Sequence, residues 1–263
     1  MGSPRSWLFA PGHDERLLAK VFDAGADMVL LDLEDAVPPQ LKDRARELVA
    51  KVAAGRRCWV RVNKPGTDLC QRDLEAVAGV AAGLRLPKVE SASDVAWVAE
   101  RAPTALLDCS IESAHGVLAA SEIACSPACN SLAYGGVDLA LDLNNSGGEL
   151  ETLFARSLMV LASRAAGKMP PSDGVHTLIN DDDGLRKEAI AARQLGFFGK
   201  SAIHPRQVPI INEVFTSTAA EIAWAEGVLA AFELAGGAAT KLHDGEFVDI
   251  AVAERARQIL ERH

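Results

Sequence analysis

The sequence predicts an α/β fold: a closed (β/α)8 TIM barrel followed by a C-terminal helical extension. Three observations predict it. Short β-rich runs alternate with helical runs along most of the chain, which marks a parallel sheet with crossover helices. Eight such units occupy about the first 205 residues, which suits a closed barrel better than a doubly wound sheet. The chain has 263 residues, and at roughly 150 per domain that leaves room for one barrel plus an appendage. We assign residues 1–216 to the barrel and 217–263 to the extension, which reads as a segment reaching a neighbouring subunit.

The elements follow in order. Trp7-Leu8-Phe9-Ala10 is the first strand, stopped by Pro11-Gly12, and a helix over 14–24 ends at Gly25. The apolar run 28–33 is the second strand, with a helix over 41–53. Residues 58–62 form the third strand and 84–88 the fourth, with a helix over 72–82 between them. A helix over 93–100 leads to the fifth strand, 105–111, and one over 114–124 leads to the sixth, 131–134. After a Gly-rich turn a long helix covers 149–166. Gly174-Val175-His176-Thr177-Leu178 reads as the seventh strand, 184–195 as a helix, and Lys200-Ser201-Ala202-Ile203 as the eighth strand. Helices over 219–234 and 250–262 make the extension, separated by Gly236-Gly237 and Gly245.

Composition narrows the function. Apolar residues make up 49% and charged residues 24%, as in ordinary globular proteins. The net charge of −9 argues against duplex nucleic acid, which needs a basic footprint. It leaves room for an anionic small molecule, because a few cations in a cleft reverse the local field. No apolar run approaches the ~20 residues of a membrane span, and the start of the chain lacks the apolar stretch of a signal peptide. Gly2 loosely fits a myristoylation pattern, but a core strand begins almost at once. The five cysteines are odd in number and irregularly spaced, which suggests reduced thiols in a cytoplasmic protein rather than disulfides or a zinc site.

A barrel of this kind gathers its chemistry at the C-terminal strand ends. Strand two offers Asp32, Glu34 and Asp35 there; strand three Arg61 and Asn63; strand four Lys88; strand five Glu112; strand six Asp138; strand eight His204. The strand interiors are apolar apart from Arg85 and Asp108. Carboxylates meeting at one mouth repel each other unless a cation intervenes. Mg²⁺ takes oxygen ligands and often only one or two carboxylates, so Glu112 and Asp138, on adjacent strand ends, can share one ion. The lack of a His-rich cluster points away from zinc. Arg61 can fork onto a carboxylate or enolate oxygen, or it can simply pair with Glu34 or Asp35. Gly135-Gly136, ahead of Val137 and Asp138, frees backbone N–H groups at a close turn that can hold a ligand carboxylate.

Several segments together resemble the citrate lyase β-subunit-like family of CoA-ester lyases. They are Arg5-Ser6-Trp7-Leu8-Phe9-Ala10-Pro11-Gly12, Leu31-Asp32-Leu33-Glu34-Asp35-Ala36-Val37, Arg61-Val62-Asn63, Leu86-Pro87-Lys88-Val89-Glu90, Ile111-Glu112-Ser113-Ala114 and Gly199-Lys200-Ser201-Ala202-Ile203-His204-Pro205. The resemblance spans nearly the whole chain. It implies a Mg²⁺-dependent barrel, often a homotrimer, that makes or breaks a C–C bond in acyl-CoA esters of the citryl, malyl or citramalyl type. Its partners would be an acyl-CoA and a small α-keto acid: oxaloacetate, pyruvate or glyoxylate.

Carried over by position, Glu112 and Asp138 look like the metal ligands. Arg61 looks like the group that binds keto-acid and thioester oxygens, and Glu34 and Asp35 like groups that orient metal waters and Arg61. Gly135, Gly136 and Val137 line the substrate side, and Arg16 and Lys20 are candidate coenzyme A phosphate contacts. Phe247-Val248-Asp249 resembles a segment whose Asp acts as acid/base in the next subunit, although relatives often carry a Pro where Ile250-Ala251-Val252 follows. Val137 also stands where an acidic residue often precedes the metal-binding Asp. Two other functions fit the same fold. One is a citrate lyase β subunit acting on an acyl-carrier-protein thioester. The other is a non-catalytic keto-acid or thioester binder.

Overall fold

The computed structural model describes residues 3–260, in two compact units, Ser3–Asn212 and a second beginning at Glu213. Gly2 and the end of the helix expected to reach Arg262 lie outside the described residues.

In the first unit the elements run β1 (Ser6–Pro11), α1 (Glu15–Lys20), β2 (Met28–Asp32), α2 (Lys42–Gly55), β3 (Trp59–Arg61), α3 (Asp68–Val77), β4 (Gly83–Leu86), α4 (Ala92–Arg101) and β5 (Leu107–Ile111). They continue with α5 (Ala114–Leu118), α6 (Ala120–Cys125), β6 (Cys129–Tyr134), α7 (Gly136–Asp142), α8 (Glu149–Ala165), α9 (Asp182–Leu195) and β7 (Lys200–Ala202), and α10 (Gln207–Phe215) begins in this unit and ends beyond Asn212. Local signals place the helix starts. Asp14 caps α1 through Arg16 and Leu17 N–H, and Ser91 and Asp94 form a capping box on α4. Thr67 caps α3 through Cys70 N–H, which starts that helix well before the expected residue 72. The expected helix over 114–124 is two helices that meet at Ala119.

Seven parallel strands form one sheet in the order β6-β5-β4-β3-β2-β1-β7. The expected seventh strand at 174–178 is absent. Its place is taken by Ser172 and Asp173, which bridge β6 at Ala133 and β7 at Lys200. The reason is local: Pro170 and Pro171 have no N–H to give a ladder, and Gly174 follows at once. The bridges still close the ring. Ser172 N–H donates to Leu132 O (3.0 Å), Tyr134 N–H to Ser172 O (2.9 Å), and Ser201 N–H to Asp173 O (2.9 Å). The barrel thus has eight staves, one of them two residues long.

Aromatic rings and guanidinium groups alternate within the barrel. Trp7 meets Trp59 edge-on at 5.2 Å, and Gly83 is bare because a Cβ there would lie 2.5 Å from the Trp59 ring. Arg85 Cζ sits 4.8 Å from the Trp7 ring and 5.9 Å from Phe9, and Arg61 Cζ sits 4.8 Å from Phe9. Arg85 donates to Asp108 (2.6 Å), Ser201 Oγ (3.1 Å) and Ser172 Oγ (3.1 Å), while Ser131 Oγ donates to Asp108 (2.6 Å). All five of these residues are buried.

The second unit contains α11 (Ala219–Leu234), a short antiparallel pair of β8 (Thr240–Lys241) and β9 (Phe247–Val248), and α12 (Ile250–Leu260). Its core is Ala225, Val228, Phe232, Val248, Ala253 and Ala256. Thr218 and Glu221 form a capping box on α11, and Ser217 Oγ donates to Ile259 O (2.9 Å). All five cysteines are free, and four are buried. Among the described residues no helix is long and apolar enough to cross a membrane.

Candidate active site

The mouth of the barrel is organised by Asp32, the last residue of β2. Register places Asp32 beside Arg61 of β3, and the two side chains form a forked pair of 2.8 and 2.7 Å. Asp32 also accepts the N–H groups of Glu34 (2.9 Å) and Ala36 (3.1 Å), which fixes the turn after the strand. Burial works to raise the Asp32 carboxyl, but the Arg61 charge and these hydrogen bonds outweigh it and hold it below the usual range. Arg61 Nη1 lies 3.1 Å from Glu34 Oε2. Asp32 accepts two of the five guanidinium N–H groups; the contact with Glu34 is an ion pair whose Oε2 accepts no hydrogen bond, so N–H groups on Nη1 and Nη2 remain for a ligand.

Glu34 is shared. Its other oxygen accepts from Lys88 Nζ at 2.5 Å, and Lys88 also reaches Asp35 at 3.1 Å. Asp35 therefore touches Lys88, and Glu34 is the one that touches Arg61. Behind them, Lys42 Nζ donates to Leu33 O (2.6 Å), Glu34 O (2.7 Å) and Asn63 Oδ1 (2.9 Å). Asn63 in turn is gripped by Asp73, which Arg46 holds at 2.7 Å. The loops after β2 and β3 are thus tied to α2 and α3.

Glu112 follows β5, and Asp138 lies in the first turn of α7 rather than on a strand end. Gly135 N–H donates to Ile111 O (3.0 Å), which brings the start of α7 against Glu112 and commits one of the N–H groups expected to hold a ligand. A Cβ on Gly135 would lie 2.2 Å from Glu112 Cγ, so only glycine permits this approach. Glu112 is buried, and its Oε2 has no hydrogen-bond partner. Burial, then the negative charges of Glu34 and Asp138, push its carboxyl up to about 8 against the pull of Arg61 and Lys88. A buried carboxyl with an orphaned oxygen beside a second carboxylate suits a hard divalent cation with oxygen ligands, which supplies the missing positive charge. No set of three or more His, Cys, Asp or Glu able to hold a metal occurs among the described residues. That leaves Mg²⁺, which completes its shell with water and substrate, as the better match than zinc.

The other residues expected at the site are dispersed. Val137 is exposed at the start of α7. Gly136 and Val137 border a cleft of about 680 Å³, in which Lys200 lies 2.7 Å from Asp173 and 3.2 Å from Glu188. Arg16 and Lys20 stand on the solvent face of α1, and His204 is exposed. Asp249 caps α12, accepting the N–H groups of Ala251 (2.9 Å) and Val252 (3.1 Å). Lys42 and Asp73 escape the sequence-derived site, and Asp32 and Asn63 appear in it as strand-end residues without a role, because only strand register and long-range packing show what they touch.

Comparison with known proteins matches residues 5–205 to the HpcH/HpaI aldolase/citrate lyase family and residues 153–262 to C–C bond lyases of the TIM-barrel fold. A (3S)-malyl-CoA thioesterase of Cereibacter sphaeroides is 41% identical over 97% of this chain and 93% of its own length. The CitE protein of Mycobacterium tuberculosis, solved with magnesium, acetoacetate and coenzyme A, superposes with a TM-score of 0.85 at 34% identity, covering 99% of this chain and 98% of the other. A citrate lyase β subunit from the same organism, solved with oxaloacetate and magnesium, gives a TM-score of 0.73 at 34% identity over 80% of this chain and 96% of the other.

Proposed function

The chain belongs to the HpcH/HpaI aldolase/citrate lyase family, a family of carbon–carbon lyases, and from that premise we propose a specific reaction. It is the Mg²⁺-dependent, reversible Claisen-type cleavage of a hydroxyacyl-CoA of the citramalyl, malyl or citryl type to an acyl-CoA and an α-keto acid. One observation carries the reading. The orphaned Glu112 carboxyl and the nearby charge of Asp138 share a mouth with an Arg61 that keeps unengaged N–H groups.

Glu112 and Asp138 would hold the cation, which supplies Lewis acidity toward the oxygens of the hydroxy-acid half. Arg61, fixed by Asp32 and Glu34, stabilises the oxyanion that develops as the C–C bond breaks. Glu34, paired with Arg61, is assigned the orientation of that guanidinium, and Glu34 and Asp35 together that of waters on the cation. Asp249 is assigned the proton transfer at the enolate carbon, delivered from a neighbouring copy. Arg16 and Lys20, exposed cations on α1, are assigned to coenzyme A phosphates. Homotrimeric assembly is supported by large apolar side chains left in solvent on α7 and α8, with Leu141, Leu150 and Phe154 each at least 70% exposed. The reduced thiols support a cytoplasmic setting.

A second reading, thioester hydrolysis, is favoured by the malyl-CoA thioesterase relative. One assay separates the two: citramalyl-, malyl- and citryl-CoA with and without Mg²⁺. Cleavage releases acetyl-CoA and a keto acid (pyruvate, glyoxylate or oxaloacetate in turn), whereas hydrolysis releases free coenzyme A thiol and the intact hydroxy acid. Product formation that does not require Mg²⁺ overturns the assignment of Glu112 and Asp138.

A further inference from the structure

Lys88 adopts a backbone conformation that its side chain disfavours. Its φ is 53°, and the only other non-glycine residue with positive φ among the described residues is Asn144. Asparagine tolerates the left-handed region and lysine gains nothing from it, so at Lys88 the surroundings must impose the conformation. Such strain collects where a site needs it. Beyond Lys88 the chain docks on β5 through Val89 N–H to Ser110 O (3.1 Å). The side chain lies across the mouth, 2.5 Å from Glu34 Oε1 and 3.1 Å from Asp35 Oδ2.

Five carboxylates gather near this mouth: Asp32, Glu34, Asp35, Glu112 and Asp138. Arg61 and Lys88 are the cations whose side chains pair with them there. Glu34 bridges the two cations, one oxygen to each. Without Lys88 the Glu34 carboxylate would keep Arg61 as its one ion-paired cation among the described residues, since Lys42 bonds the Glu34 backbone carbonyl instead. The carboxylate would swing onto the N–H groups that a substrate oxyanion needs. We propose that Lys88 is a positioning residue: it draws Glu34 aside and keeps the outward N–H groups of Arg61 available to the keto-acid oxygen. The proposal rests on the lyase reading above. It goes further by giving a role to a residue that does not hold the cation and is not required to touch the substrate.

The test uses the full chain with Mg²⁺ and the variants Lys88→Gly, Lys88→Met and Lys88→Arg. Glycine relieves the left-handed strain while removing the ammonium. Lys88→Gly is therefore expected to keep or raise the melting temperature while kcat falls roughly 10- to 100-fold with KM nearly unchanged. Added propylammonium should restore part of its kcat, and Lys88→Arg should retain more activity than Lys88→Met. A kcat within twofold of wild type in both Lys88→Gly and Lys88→Met overturns the proposal. So does a loss of activity that follows a loss of stability without amine rescue. If wild type cleaves no thioester, the lyase reading fails by itself. The lysine is then judged by calorimetric binding of oxaloacetate: at least tenfold weaker binding to Lys88→Met supports it, and equal binding, or no binding to wild type, overturns it.

Discussion

The barrel carries two charged layers, and they are built on opposite terms. In the closed interior, Arg85 and Asp108 spend their hydrogen bonds on each other and on three serines. At the mouth, Glu112 keeps an oxygen without a partner, and Lys88 accepts an unfavourable backbone angle. A buried charge with a full set of partners is a structural part, whereas one left short is waiting for something to bind. The lesson is that burial and charge do not by themselves mark a site. The unmet demand does.

The sharpest way to break this contrast is to neutralise one group in each layer. Glu112→Gln should lower Mg²⁺-dependent turnover at least about a thousandfold while leaving stability equal or higher, since a carboxyl disfavoured by its surroundings is removed. Steady-state assays and thermal melts on the same preparation would show whether the two properties separate. Asp108→Leu should do the reverse. It strands Arg85 without its counter-charge inside the barrel and should cost about 3–5 kcal/mol in chemical denaturation. If Asp108→Leu left stability intact, the interior layer would lose its structural reading.

Two smaller effects refine the mouth. Gly135→Ala places a methyl group against Glu112 Cγ, and Mg²⁺ affinity measured by calorimetry should weaken roughly 10-fold or more. The last concerns pH. The folded-state pKa of Glu112, about 8, lies above its ordinary value of 4.5, so its protonated form stabilises the metal-free fold. That stability is fully present below about 4.5 and is lost as pH rises through about 8. Mg²⁺ must displace the same proton, so its stabilising shift in melting temperature should grow from pH 6 to 8 and level off above. Glu112→Gln should flatten that dependence, and a flat wild-type profile would mean that the carboxyl is already ionised.

Much of this organisation is legible in the sequence, because alternating runs fix the staves and the residue after each stave falls at the mouth. Arg61 and Glu112 are found that way. Asp32 is visible as a charge, but its role depends on lying level with Arg61 across two strands, and a single chain read in order does not give register. The seventh stave is misplaced because Val175 and Thr177 look like strand residues, while the pairing depends on where prolines stop denying donors. The helix α7 is missed because it opens on two glycines, poor helix formers that here allow close approach to Glu112. Lys88 is legible as a charge and illegible as a strained one, since nothing in its neighbours demands a left-handed residue.

The two-residue stave has a consequence for how the ring comes apart. Elsewhere the cylinder is sewn by runs of three to five paired residues, but at this seam a few amide bonds carry the closure. Opening should begin there, with the amides of Ser172 and Ser201 trading deuterium well before those of Leu31 or Val60. Arg156 and Lys200, both clasping Asp173, are the rivets that slow this unzipping.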